Sequence, residues 1–277
     1  TDQVILTDNA VQYIQEDVLY MRGNTIMING LDTLTCDSMV YWSMLDSGYA
    51  MGRVYYVQPS HDRRLTTNVF HYWKTEGYRG SSFKAQGYTR ITERDQLITA
   101  DEINYDDDEQ IMRLTDNASV EDSKRGIFGD EMVIQYSDSL IEQIMVTANA
   151  FAYNNLKIRI EKNGPYRQFR DEMSSKEMIA YFQNDNISQL KLINMATTLY
   201  HVIDDSMLAG NNEASGDSIH INFIEGDIKR IQIIGGSLGE FNPEGINSKI
   251  DTTIFYGADY LDYHIDDKKH FYQKVHL

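Results

Sequence analysis

The chain has a single cysteine, Cys36, only three prolines among 277 residues, and no run of 18 or more apolar residues. One thiol excludes an internal disulfide, and its place beside Asp37 suggests a small, partly buried strand residue. Scarce proline leaves sheet ladders unbroken. Without a long apolar run no helix of the chain can span a bilayer, and no basic-then-apolar leader opens it. The chain begins at Thr1 rather than Met, as expected after removal of a targeting segment or trimming. Basic residues are also few: 25 against 42 acidic, a formal charge of −17. That charge repels nucleic acid and anionic membrane surfaces, so neither is expected as a partner.

Catalytic signatures are equally sparse. There is no H-E-x-x-H, no G-x-S-x-G, no phosphate loop with Lys and no paired Cys for zinc. Gly235-Gly236-Ser237-Leu238-Gly239 has neither the spacing nor the helix of a nucleotide loop and reads as a turn between strands. The run Asp106-Asp107-Asp108-Glu109 lacks the Gly and the distant Glu of an EF-hand and reads as a solvated hairpin turn. The seven histidines are scattered; His71 and His220 are expected on an outer face rather than as metal ligands. No cofactor, no metal and no enzymatic activity are expected.

What is present is a five-residue pattern written seven times: an acidic or amide residue, then apolar side chains two and four places later. Its copies start at Asp37, Asn68, Asp101, Asp130, Glu177, Asp217 and Asp259, in steps of 31, 33, 29, 47, 40 and 42 residues. Strand side chains alternate between faces, so the second and fourth places of each copy share one face. These are Met39 and Tyr41, Phe70 and Tyr72, Ile103 and Tyr105, Met132 and Ile134, Ile179 and Tyr181, Ile219 and Ile221, and Leu261 and Tyr263. Loose recurrence in this range signals stacked supersecondary units that cannot bury their apolar faces alone.

Before the first copy stand Gly23-Asn24, and between successive copies Gly52, Gly87, Asp116-Asn117, Ala148-Asn149, Ile193-Asn194 and Gly235-Gly236. Glycine and asparagine tolerate positive backbone angles, so these positions are predicted to be turns, each unit reading strand, turn, strand, turn. With 19 Tyr and 10 Phe the composition suits strands, and even Glu172–Phe182, the best helical candidate, reads as strand. The prediction is one array over 1–277, with 161–167 an enlarged loop; two lobes, 1–160 and 161–277, are the alternative. The repeated apolar face has two readings at this point, a filled core or the lining of a channel made adaptable by methionine.

The segment Ala100-Asp101-Glu102-Ile103-Asn104-Tyr105, followed by an acidic turn, a strand and Leu114-Thr115-Asp116-Asn117-Ala118, resembles the OstA-like repeat of lipopolysaccharide transport proteins. Gly216–Phe223 with Glu225–Ile231, and Met21–Ile28 leading into Leu34–Asp37, carry the same signature. The resemblance spans about Val18 to Tyr263 through short motifs in phase. It implies an all-β, elongated β-jellyroll of stacked antiparallel strands opened into a groove, working as a conduit for lipopolysaccharide or a related glycolipid without chemistry. The location implied is the periplasm, with outer-membrane association for the translocon's own domain. Carried over position by position, the fourteen residues named above become lipid-facing. Partners implied are the glycolipid and other proteins of the transport family, paired head to tail through edge strands near Val4–Tyr20 and Ile254–His264. An envelope scaffold with a closed core and, last, a β-solenoid glycan-active enzyme with paired carboxylates are the competing functions.

Overall fold

A computed structural model describes residues 3–74, 81–137, 140–184, 186–204, 207–224 and 227–243. The chain is all-β, as expected: sixteen strands and one 3-10 turn, Pro59–His61, account for the regular structure of the described residues. Among these residues no helix is long and apolar enough to cross a membrane. The stretch Tyr166–Gln183 is strand throughout, including the helical candidate.

The residues form two compact units, divided within 124–141. In the first, β1 (Gln3–Leu6) and β2 (Asn9–Tyr13) pair with β3 (Val18–Asn29). From there β4 (Asp32–Trp42), β5 (Ser47–Gln58), β6 (Arg63–Trp73), β7 (Ser82–Glu93), β8 (Gln96–Asp106) and β9 (Ile111–Glu121) follow as an antiparallel meander. One of its turns is the acidic run, where the Asp106 carboxylate accepts bonds from the amides of Asp108 and Glu109 at 3.0 and 3.1 Å. β10 (Arg125–Ser137) and β11 (Leu140–Arg159) each contribute to both units.

The second unit continues with β12 (Tyr166–Gln183), β13 (Asn186–Asp204), β14 (Met207–Ile224), β15 (Asp227–Ile234) and β16 (Leu238–Pro243). β11 to β14 run 20, 18, 19 and 18 residues, against 11 to 13 for β3 to β10. That lengthening is what stretches the later repeat steps. Residues 160–165 close the β11–β12 hairpin, whose ladder starts at Arg159↔Tyr166. At the same end β14 makes a parallel bridge back to β11, Arg159↔Met207.

The punctuating residues adopt the positive angles their types suggest, with φ between 41° and 89°. Gly235 and Gly236 stand between β15 and β16, as a turn between strands should. The others, Gly23 and Asn24, Gly52 and Arg53, Gly87 and Tyr88, Asp116 and Asn117, Ala148 and Asn149, and Asn194 and Met195, lie inside strands and not at hairpin turns, and at each the ladder loses register. Extra residues with left-handed angles make bulges, which bend a strand sharply. In the first unit the bend is a full fold-over. Arg63 pairs with Glu93, ten residues along β7 from Phe83, a separation of roughly 33 Å in a straight strand. Yet the Arg63 guanidinium lies 6.0 Å from the Phe83 ring, so the sheet doubles into two layers facing one another.

Acidic residues fasten these corners, among them Asp37, Asp101 and Asp130, which start copies. Asn24 donates to Asp8, Asn117 to Asp101 and Asn149 to Asp130 at 3.0, 2.9 and 2.6 Å, and Arg53 holds Asp37 through Nε and Nη2. The Arg53 hydrogen bond keeps the Asp37 carboxyl below its ordinary range. Gly52 is packed against the same carboxylate: a Cβ there would sit 2.5 Å from Asp37 Oδ2, at φ +74°. Gly52→Ala is therefore expected to lower stability by about 1–2 kcal/mol from the left-handed angle alone. An unchanged urea midpoint would show that the corner is not set by Gly52.

Candidate functional site

The corner also decides which side chains face inward. In β4, Leu34 and Cys36 are buried before the corner and Met39 and Tyr41 after it, all at 6% exposure or less. Cys36 and Met39 are an odd number of residues apart, which in an unbroken strand would place them on opposite faces. The bend between them flips the alternation, so both point into the space between the layers. The same break separates Leu65 and Thr67 from Phe70 and Tyr72, and Ile98 and Ala100 from Ile103 and Tyr105, every one of them buried.

Of the fourteen residues expected to share the apolar face, ten are buried: Met39, Tyr41, Phe70, Tyr72, Ile103, Tyr105, Met132, Ile134, Ile219 and Ile221. Leu261 and Tyr263 lie outside the described residues. Ile179 and Tyr181 are only half-buried and correct the expectation for the fifth copy. They pair with Lys191 and Gln189 on the outer face, and the Lys191 ammonium lies 5.0 Å from the Tyr181 ring. The inward places are Met178 and Ala180, both fully buried. Between the pairs Thr147↔Glu177 and Ala150↔Ser175, the bulge Ala148-Asn149 faces Lys176. Lys176 thus holds the place Asp37 holds in the second ladder, and the frame starts one residue before the acidic marker.

Inward residues on the first layer went unread in the repeat pattern. Met27, Leu34, Val54, Leu65, Ile91 and Ile98 are all buried; the signal for Leu34, Leu65 and Ile98 was their place three residues before a copy start, and the other three lie on the intervening strands. In the first unit they meet the second layer directly. Tyr56 stacks on Phe70 at 5.3 Å, and the Tyr72 hydroxyl donates to Met27 Sδ at 3.4 Å. From Phe70 an aromatic series continues through Phe83 and Tyr105 to Tyr136. Offset and edge-on ring contacts of this kind each contribute beyond simple burial.

Polar groups in this interior are neutral or paired. Burial pushes the phenols of Tyr56, Tyr72, Tyr105 and Tyr136 upward, that of Tyr105 to about 12, so all four stay protonated near neutral pH. Burial likewise raises the Cys36 thiol to about 11. Arg63, 3% exposed, is bound by Glu93 Oε2 at 3.0 Å from both Nε and Nη2, and its guanidinium lies 4.9 Å from the centre of the Tyr105 ring. At the corner, buried hydroxyls bond one another, Thr67 to Thr89 and, in the second unit, Ser174 to Thr197. The second unit also buries Asp171 and His201, whose amide and Nδ1 lie 2.8 and 3.0 Å from one carboxylate oxygen.

The outer face fits its expected chemistry. His71 and His220 are half-buried there, with the His71 ring 5.0 Å from Trp73, and burial lowers the His71 pKa. Residues 235–237 join β15 to β16, which pair with successive stretches of β14.

Residues 4–139 match the family model of the LptA/(LptD N-terminal domain) lipopolysaccharide transport proteins. Comparison with curated proteins returns no match. Among solved structures, LptH from Pseudomonas aeruginosa, described as the LptA homologous periplasmic component of the lipopolysaccharide transport device, aligns with 13% identity over 50% of this chain and 80% of its own, at a TM-score of 0.24. The likeness to the family rests on the sequence match: residues 4–139, just under half of the chain, are similar to the LptA/LptD N-terminal-domain lipopolysaccharide transport proteins.

Proposed function

We propose that the chain is a periplasmic conduit for lipopolysaccharide, whose acyl chains lie between the two layers of inward-facing rungs and whose transport needs no chemistry. The observation that carries this reading is the burial of the repeated apolar places: ten of the fourteen are buried, eight of them within residues 4–139, the segment that matches a transport family. Each methylene taken from water contributes about 0.8 kcal/mol, so one twelve-carbon chain held there contributes on the order of 10 kcal/mol. Equivalent rungs let such a chain advance without large steps in energy. Directionality must come from elsewhere.

Lipopolysaccharide and other proteins of the transport family are the partners this implies. Head-to-tail pairing is supported by the first edge of the array. β1 and β2 pair with β3 alone among the described strands, and they expose Val4, Leu6, Val11 and Tyr13 at 45–54%. An edge of this kind invites another strand. The stretch near Ile254–His264 lies outside the described residues.

The competing scaffold reading draws on one feature: Ile103 and Ile134 have no exposed surface, as in a closed core. Photoreactive residues separate the two. Placed at Tyr105 or Ile219, the probe is expected to capture glycolipid; at Asn104 or His220, on the outer face, it should not. Capture at neither pair leaves the scaffold.

A further inference from the structure

On the outer face of the first unit, β5, β6 and β7 line an open hollow of about 520 Å³, a size common for small-ligand sites. Its floor and walls come from a single cross-strand row, Tyr55↔Thr66↔Arg90, and from the two neighbouring bulges. Strands lie about 4.8 Å apart, so Tyr55 and Arg90 flank a gap of roughly 10 Å, which accommodates one sugar ring. Arg53 and Tyr88, both with positive φ, stand at the rim, and Gly87 leaves the floor without a side chain.

The lining chemistry is unusual for this chain. In a protein of formal charge −17, two arginines converge here. Arg53 spends Nε and Nη2 on Asp37, which leaves three of its five N–H groups for a ligand. Arg90 is half-buried and, among the described residues, takes part in no ion pair or hydrogen bond. Tyr55 and Tyr88 are 40% and 45% exposed. A guanidinium fork matches a carboxylate or phosphate in two bonds, while tyrosine planes accept the apolar face of a sugar. A free phosphate would use only the arginines.

We infer that this hollow binds an acidic saccharide, a sugar unit bearing a carboxylate or phosphate. The inference rests on the conduit reading and deepens it by naming the part of the glycolipid held outside, and it is tested without lipid. Titration calorimetry of the full chain would use an acyl-free phosphorylated core oligosaccharide, the same glycan after dephosphorylation and removal of acidic sugars, and inorganic phosphate alone. The acidic glycan is expected to bind at least about tenfold more tightly than the other two, and Arg90→Gln to weaken it at least about tenfold, the loss of a charge-assisted contact. Tyr55→Ala and Tyr88→Ala, both on the exposed face, provide variants that keep the fold by circular dichroism and should weaken it as well. Absence of binding, equal binding of the neutral glycan, or unchanged binding by folded Arg90→Gln and Tyr55→Ala overturns the site. Phosphate binding as tight as the glycan reassigns it to a simple anion and also overturns the saccharide. Glycan binding here with no lipid captured at Tyr105 would sink the interior conduit and leave this site standing.

Discussion

Glu93→Ala is expected to destabilise the chain by about 3–5 kcal/mol, among the largest single-residue effects anticipated for this protein. The reason is the state in which it leaves Arg63. That guanidinium is 3% exposed, lies 4.9 Å from the Tyr105 ring centre, and is paired with Glu93 at 3.0 Å. Removing the carboxylate strands a positive charge among aromatic rings with no route to water. Arg63→Ala should cost a similar amount for the opposite reason, leaving a buried carboxylate. Replacing both, as Arg63→Met with Glu93→Leu, exchanges a desolvated pair for apolar volume and should return most or all of the loss. Urea unfolding of the two single variants and the double gives the coupling directly. Single-variant costs below about 1 kcal/mol would mean the pair is solvated, and that the layers do not close over it.

The pair also shows where sequence reasoning stops. Arg63 and Glu93 are thirty residues apart, as are Asp171 and His201, and nothing local marks either as a partner. They meet because β6 lies beside β7, and β12 beside β13, in a particular register. By contrast, strand class, repeat phase and the inward second and fourth places were legible, because each depends only on alternation within a few residues. The corner lay between these cases. Its glycines and asparagines announced positive φ, but the same residues serve hairpin turns and bulges alike, and only the ladder register separates them. The parity break from Cys36 to Met39 was the discriminating sign, since a hairpin turn would not keep both residues inside one strand. In the fifth copy, Glu177 imitated the acidic marker one residue late. Its carboxylate does reach a corner, accepting from Asn194 at 3.3 Å, so the chemistry was right and the frame was not.

Phe70→Ala addresses what the interior is for. Phe70 is 1% exposed and touches Tyr56, Tyr72 and Phe83 at ring-centre distances of 5.3, 6.1 and 5.4 Å. Truncating it should cost about 3–5 kcal/mol, from lost transfer energy and from a void that rigid neighbouring rings cannot fill. A closed core and a lipid conduit agree on that loss and differ in how the void responds to hydrocarbon. If the space between the layers takes hydrocarbon, the void is an enlarged stretch of it, already lined by Tyr56 and Phe83, and a single-chain amphiphile should enter without displacing a ring. At a hundred times its dissociation constant such a ligand restores about 2.7 kcal/mol, several degrees in melting temperature. The wild-type protein should gain less, because the chain must first part Tyr56 from Phe70. Melting curves of both proteins with and without a twelve-carbon amphiphile below its micelle concentration make the comparison. Equal indifference of both would mean that the rungs close on themselves, and that the docking edge of β1 and β2, rather than the interior, is where this chain does its work.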